Sequence, residues 1–381
     1  MRYAALALLV SLFAIPARAA EPDLKPAETY VVIAGVLQWP GSKISGFPTK
    51  NRKDEELYEV LRNRGVPADQ MKLLLDEEST YSGVKRAIAA IASKAPAGST
   101  FILYYCGHGM PCGKQGDICL ANYDLLPERS EQTGLLASNL TEMIKASFHG
   151  KRVFLLADCC FSGGLGKTAE ALHKAGFDAA AITSSNDSTI STRNWTYTQT
   201  VIDALKGDPF ADANGDGVVS LSELNSEVKL AMGAIERQPS GYAAYGLKGD
   251  FKLAPAKPKL ASKSTKFKPG DYVLVAGANT AGRVVDAAED IYGVQFYDYT
   301  EKRRVEYAEA KLRVLPDGWE DRNFKLPAGG EIAEIEVEWN GQWYPATILK
   351  KDGDKTMIHY VGYGDNWDEW VAKERIRPLK K

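Results

Sequence analysis

Two short stretches hold side chains whose types suit nucleophilic chemistry. Residues 151–164, KRVFLLADCCFSGG, run from an apolar segment into Asp158, the paired Cys159 and Cys160, and a glycine pair. Residues 100–109, TFILYYCGHG, run from an apolar segment into Gly107, His108 and Gly109. A thiol attacks as its thiolate, and an imidazole is suited to manage the proton and hand it to a leaving group. His108 lies 52 residues before Cys160.

Those residues need a scaffold, and the flanking segments describe one. Unbroken apolar runs stopped by polar and Gly residues read as strands buried on both faces of a parallel sheet. Open α/β sheets place their ligands beyond the carboxyl ends of such strands. A lone Cys on a buried strand is normally a small hydrophobe, and a lone His after a strand is normally a turn residue. Here both close an apolar run and both are soon followed by Gly. Further strands are expected at 29–36, 71–75 and 178–183, and helices at 54–64, 81–95, 137–147 and 167–175, with Thr80 as a helix cap. Alternating strands and helices mean an α/β fold with right-handed crossovers. Gly166-Lys167-Thr168 looks like the end of a P-loop, but Phe161 stands where the first Gly of that motif belongs.

On YYCGHG and DCCFSGG, residues 29–254 resemble the caspase-like cysteine peptidases, the metacaspase and bacterial caspase-like branch in particular. The resemblance implies a caspase-like, mostly parallel sheet flanked by helices over 27–255. It implies a Cys-His dyad of His108 and Cys160, with the backbone N–H groups of Gly109 and Cys160 as an oxyanion hole. Phe161 departs from the pattern, since metacaspases usually carry His there. The family also implies Asp158 and Asp187 as the acids of the pocket for the residue before the cleaved bond. Two carboxylates select a cation and favour Arg. The expected activity is therefore a cysteine endopeptidase (a hydrolase) that cleaves polypeptides after Arg or Lys, with no organic cofactor. The alternative is a silent or latent caspase-like protein that acts as a binding module.

Residues 212–223, DANGDGVVSLSE, fill every position of the EF-hand calcium loop. Asp212, Asn214 and Asp216 offer side-chain oxygens, Val218 a carbonyl, Ser220 the ninth position and Glu223 the closing carboxylate. Calcium is the expected metal.

Residues 1–19 read as a signal peptide: Arg2, an apolar core too short to span a bilayer, and Ala17-Arg18-Ala19 at the cleavage point. The expectation is an exported protein, periplasmic or secreted, of bacterial type, with no membrane span after cleavage. Five cysteines in such a setting leave one unpaired, as a nucleophile requires. Cys112 with Cys119, or Cys106 with Cys159, fit as pairs. A formal net charge of −2 advertises no basic domain, so no nucleic-acid partner is expected.

Residues 256–266 are rich in Pro, Lys and Ser and read as a linker. Beyond them an internal repeat spans 267–316 and 329–380, each copy the size of a small five-stranded SH3-like barrel. Through EWNGQWYPATIL and HYVGYGDNWDEWV the second copy resembles the Tudor-knot, chromo-barrel and Agenet group. The first is a degenerate relative, with Glu306 at the position of Trp370. That resemblance implies an aromatic cage drawn from Tyr344, Tyr360, Tyr363, Trp367 and Trp370, which would hold a cationic group by cation–π attraction. The expected partner is a protein or envelope ligand.

Overall fold

The computed structural model describes residues 21–112, 117–258, 266–276, 280–297, 302–316, 318–321, 335–339, 341–360 and 367–378. The expected signal peptide and Tyr363 lie outside them. The first part runs β1 (Thr29–Gly35), α1 (Lys53–Asn63), β2 (Met71–Leu75), α2 (Tyr81–Ala92), β3 (Thr100–Cys106), β4 (Gly109–Cys112) and β5 (Asp117–Leu120). Next come α3 (Ser130–Thr133), β6 (Leu135–Leu136), α4 (Ala137–Lys145), β7 (Arg152–Asp158), α5 (Leu165–Lys174) and β8 (Asp178–Thr183). It closes with α6 (Thr196–Leu205), β9 (Val218–Ser220), α7 (Leu221–Ala231), a π-helical turn (Met232–Glu236), β10 (Gly241–Tyr245) and β11 (Lys252–Pro255).

Six strands pair in the order β10-β8-β7-β3-β1-β2, all parallel except β10. Every residue of β1 and β3 is buried, because both faces are covered. Alternation sends Phe101, Leu103 and Tyr105 to one face, where Val84 and Ile88 of α2, Leu140 and Ile144 of α4, and Leu172 of α5 meet them. Ile102, Tyr104 and Cys106 go to the other, against Leu57 of α1, Tyr197 of α6 and Leu224 of α7. Each fully buried side chain of this size contributes roughly 1.5–3 kcal/mol. The Thr80 hydroxyl accepts the Gly83 N–H at 3.0 Å and caps α2. A Cβ on Gly83 would stand 2.2 Å from the Glu78 carbonyl, so the turn into this helix requires Gly.

The two ends of this part meet. Asp23 and Leu24 donate their backbone N–H groups to the Lys252 carbonyl at 2.9 and 3.0 Å. The Asp23 carboxylate accepts the Lys252 N–H at 2.9 Å.

The tail holds two antiparallel sheets. The first comprises β12 (Tyr272–Val275), β13 (Thr280–Ala288), β14 (Ile291–Tyr297), β15 (Lys302–Ala308) and β16 (Leu312–Val314). The second, a curled sheet like that of a small barrel, comprises β17 (Ile335–Trp339), β18 (Gln342–Asp352), β19 (Lys355–Tyr360), β20 (Glu369–Ala372) and β21 (Ile376–Pro378). Their strand orders, β15-β14-β13-β12-β16 and β20-β19-β18-β17-β21, are the same arrangement. Glu306 pairs with Gly293, the third residue of β14, and Trp370 with Met357, the third of β19. The first tail sheet rests on the α/β part. Buried Arg283 reaches Glu227 of α7 at 2.7 Å and lies 4.6 Å above the Phe210 ring. Among the described residues no helix is long and apolar enough to cross a membrane.

Candidate active site

The register of β3 against β7 brings the two chemistry-bearing loops together. Cys106 and Asp158 are paired across these strands, so His108 and Cys160 each lie two residues past the same level. The loops touch directly. The Gly107 N–H donates to the Asp158 carbonyl at 3.3 Å. A Cβ on Gly109 would stand 2.1 Å from the Cys160 carbonyl and 2.9 Å from Cys159 Sγ. Only glycine allows that approach.

His108 is held on three sides. Its ring lies 5.0 Å from Trp39 and 4.5 Å from Phe47. Its Nε2 is 2.9 Å from the Ser45 carbonyl oxygen. A carbonyl only accepts, so Nε2 carries the proton and Nδ1 of the neutral ring keeps the lone pair a base needs. Burial holds the His108 pKa below its usual 6.5, against the Ser45 bond and with help from Arg193. The segment bearing Trp39, Ser45 and Phe47 is pinned by Asp76, which accepts the Leu37 and Gln38 N–H groups at 2.7 and 3.1 Å. Asp76 pairs in turn with Arg52, which is buried against Asp54 at 2.7 Å.

The paired cysteines differ in kind. Cys159 is buried, and burial pushes its thiol well above the ordinary value. Cys160 is half-exposed, unlike Cys106, Cys112, Cys119 and Cys159. Its Sγ accepts the Ser191 N–H at 3.2 Å. Among the described residues no two cysteines are joined in a disulfide. Cys106 and Cys159 belong to core clusters on opposite faces of the sheet, which removes that pairing. Cys112 and Cys119 are diagonal neighbours on β4 and β5.

Beside these two loops lies a cleft lined by Leu37, Phe47, Gly107, Asp158, Arg193 and Asn194 among others. Asp158 is buried at its floor. Its Oδ2 accepts the Thr198 hydroxyl at 2.6 Å, and Thr198 meets Tyr104 at 2.6 Å. Burial raises the Asp158 pKa to about 6, against the Thr198 and Ser184 bonds, and Glu236 adds to the rise. Asp187 does not line this cleft; it is exposed on the loop after β8. The second acid behind the cleft is Glu236, buried and bonded to Asn194 at 3.1 Å and to Thr196. Among the described residues neither Asp158 nor Glu236 has an ion-pair partner.

The 212–223 loop is wound around its first acid. Asp212 accepts the Gly215, Asp216 and Gly217 N–H groups at 2.7, 3.2 and 3.0 Å. Glu223 accepts the Asn214 N–H at 3.2 Å and caps α7 together with Ser220. β9, which carries Val218 and Ser220, pairs antiparallel with β11, so the loop has a partner strand from outside an EF-hand. Among the described residues no group of three or more His, Cys, Asp or Glu is arranged to hold a metal ion.

In the second tail sheet, Trp339, Tyr344, Tyr360 and Trp367 line a small cavity. Its walls stand nearly at right angles: Trp339 to Trp367 at 5.6 Å and 87°, Tyr344 to Tyr360 at 6.1 Å and 86°. Trp370 is exposed and lies outside it. Residues 331–381 match the family model of the Agenet domain. The Agenet-like segment thus contains this aromatic cavity, and this last part of the tail is Tudor-like. A search of curated proteins finds no match to the chain. A protein of Geobacter sulfurreducens, solved as a structural-genomics target, is similar at 14% identity and a TM-score of 0.41, over 60% of this chain and 99% of its own.

Five residues at these sites escape a reading of the sequence. Ser45 acts through a backbone carbonyl, which leaves no signature. Phe47 and Trp39 sit in a segment without periodicity, although its aromatic content is a signal. Glu236 lies in a π-helical turn far along the chain. Trp339 ends a strand whose alternation reads simply as sheet.

Proposed function

We propose that the chain is a caspase-like cysteine endopeptidase that cleaves polypeptides after Arg or Lys. The observation that carries this reading is the shared level of His108 and Cys160 beyond two paired parallel strands. In the proposed reaction Nδ1 of His108 takes the Cys160 proton. The thiolate attacks the scissile carbonyl, the imidazolium protonates the leaving amine, and water releases the acyl group. The backbone N–H groups of Gly109 and Cys160 are the proposed oxyanion donors. Asp158, with no cationic partner among the described residues, supports a basic residue in the cleft.

Calcium is proposed for the 212–223 loop, held by Asp212, Asn214, Asp216, Val218, Ser220 and Glu223. The tight winding about Asp212 supports it, and Asp212, Asp216 and Glu223 would have to draw together on binding, since the described residues hold no such acid cluster. The Agenet-like cavity is proposed to dock a cationic group of a protein or envelope partner. Export is proposed from residues 1–19.

A second reading is a latent or silent protein. It is favoured by Ser191, whose N–H already occupies the Cys160 sulfur. Hydrolysis of short fluorogenic peptides ending in Arg, Lys, Asp or Asn, run beside Cys160→Ala, separates the two. Turnover after Arg or Lys that disappears in the variant supports the peptidase. Turnover after Asp removes the role given to Asp158, and no turnover with any peptide favours latency.

A further inference from the structure

The three residues that close the π-helical turn face three different neighbours. Glu236 lies behind the cleft. Arg237 reaches into the tail. Its Nε donates to the Trp319 carbonyl at 2.8 Å, and its guanidinium lies 4.6 Å above the Trp319 ring. Trp319 answers with its indole N–H on the Ala234 carbonyl at 2.7 Å. Trp319 is itself packed against Leu274 and Ala281 of the first tail sheet, so the clamp is anchored in that sheet.

Gln238 turns inward and is only 1% exposed. Its Oε1 accepts the Thr192 N–H at 3.1 Å, and its Nε2 donates to the Ser184 carbonyl and to the Ser191 hydroxyl. It therefore holds both ends of the segment that lies over the nucleophile. That segment meets the 159–162 loop at several points, among them the Ser191 N–H on Cys160 Sγ at 3.2 Å, the Phe161 N–H on the Thr189 carbonyl at 2.9 Å and the Ser185 hydroxyl on the Cys159 carbonyl at 2.9 Å. Arg237 adopts a left-handed backbone, φ 51°, which a residue with a side chain holds only when its surroundings impose it. The clamp on Trp319 is such a surrounding. An unbroken line of contacts thus runs from Trp319 through Arg237 and Gln238 to Ser191 and Cys160.

We propose that Gln238 is a positioning residue for the Cys160 thiol, and that the first tail sheet sets it within the same chain through the Trp319–Arg237 clamp. The tail is then part of the working site as well as a docking appendage. The inference rests on Cys160 as the reactive group, but it is tested without peptide turnover. The Ser191 N–H bond at 3.2 Å favours the thiolate and outweighs the longer, 3.8 Å contact of the thiol with the Ser191 carbonyl, which favours the neutral form. Letting the segment drift removes that help and moves thiolate formation to higher pH.

The test is alkylation of Cys160 by iodoacetamide in the full chain, followed by mass spectrometry across pH; the other four thiols are buried. Gln238→Ala and Trp319→Ala are each expected to raise the midpoint by about one pH unit. Arg237→Gly removes the clamp while suiting the left-handed backbone, so it guards against a Trp319 variant that fails to fold, and it is expected to shift likewise. Lys350→Ala, exposed on the second tail sheet, is expected to match the wild type. A wild-type midpoint in Gln238→Ala overturns the positioning role. A shifted Gln238→Ala beside unshifted Trp319→Ala and Arg237→Gly overturns the role of the tail. Shifted midpoints in a protein that hydrolyses no peptide would sustain this inference while removing the peptidase reading.

Discussion

His108 gives its Nε2 proton to the Ser45 carbonyl at 2.9 Å, and the residue that fixes this tautomer lies 63 positions earlier in the chain. The bond leaves Nδ1 as the basic nitrogen, while Trp39 and Phe47 keep water from the ring. Desolvation disfavours the imidazolium, so neutral His108 persists below its ordinary 6.5. The acid limb of kcat should accordingly have its midpoint below 6.5. Phe47→Ala exposes the ring, removes part of the desolvation and should move that midpoint upward. A kcat profile unchanged in Phe47→Ala would show that the aromatic cover does not govern the imidazole.

Asp158 predicts a different pH dependence. Its carboxyl is raised from 3.8 to about 6 by burial, so it becomes protonated as pH falls through about 6 and its attraction for a cation is lost. KM for a substrate ending in Arg should rise there, separately from the kcat limb of His108. Asp158→Asn should abolish the preference for Arg over neutral residues by about 10- to 100-fold, as charge-assisted hydrogen bonds are lost.

The same residue predicts an opposite effect on stability. The folded state binds the Asp158 proton more tightly than the unfolded chain does. Stability from this group is therefore full below about 3.8 and declines as pH rises to about 6. The two pH units correspond to roughly 3 kcal/mol at neutral pH. Asp158→Asn should thus raise the midpoint of urea unfolding at pH 7 but bring little gain at pH 4.

Arg52 is buried between Asp54 and Asp76. Removing one member of such a group strands the others, at a cost of about 3–5 kcal/mol. Arg52→Met should destabilise the fold by that order. Lys43→Ala, exposed in the same segment, should change unfolding by less than about 0.5 kcal/mol.

Calcium gives a prediction independent of catalysis. If the 212–223 loop binds it only in the folded chain, a hundredfold excess over Kd should add about 2.7 kcal/mol of stability. The gain should vanish with chelator and in Asp212→Ala. A melting temperature indifferent to calcium would remove the metal from the proposal.

The strands that lead to His108 and Cys160 were legible because buried parallel strands leave continuous apolar runs, and β8 likewise follows the run DAAAIT. Cys160 could be told from Cys159 only by resemblance; exposure separates them physically. The cleft acids were half legible. Asp158 closes a strand and its place follows from the strand. Asp187 lies in an irregular loop, and spacing along such a loop says nothing about where a side chain points. α6 was missed because its threonines and Gln199 are buried along with its apolar residues, so polarity along the segment does not mark a solvent face. Glu236, Arg237 and Gln238 act through folding geometry at long range, which no local pattern encodes. In the tail, strand period and aromatic content made the sheets readable, but which rings would face one cavity depended on register, so Trp370 was expected in place of Trp339.

The closure of Asp23 and Leu24 onto Lys252 makes the α/β part a ring in all but one bond. Evolution can lift such a unit out of one chain and set it in another without disturbing its interior, because entry and exit occupy a single point on the surface. The order in which a ribosome writes its elements is correspondingly arbitrary. A version whose ends are joined there by a short linker and reopened in the exposed turn at Gly176 would keep every strand pairing, with the tail then reattached by its own contacts rather than by the chain.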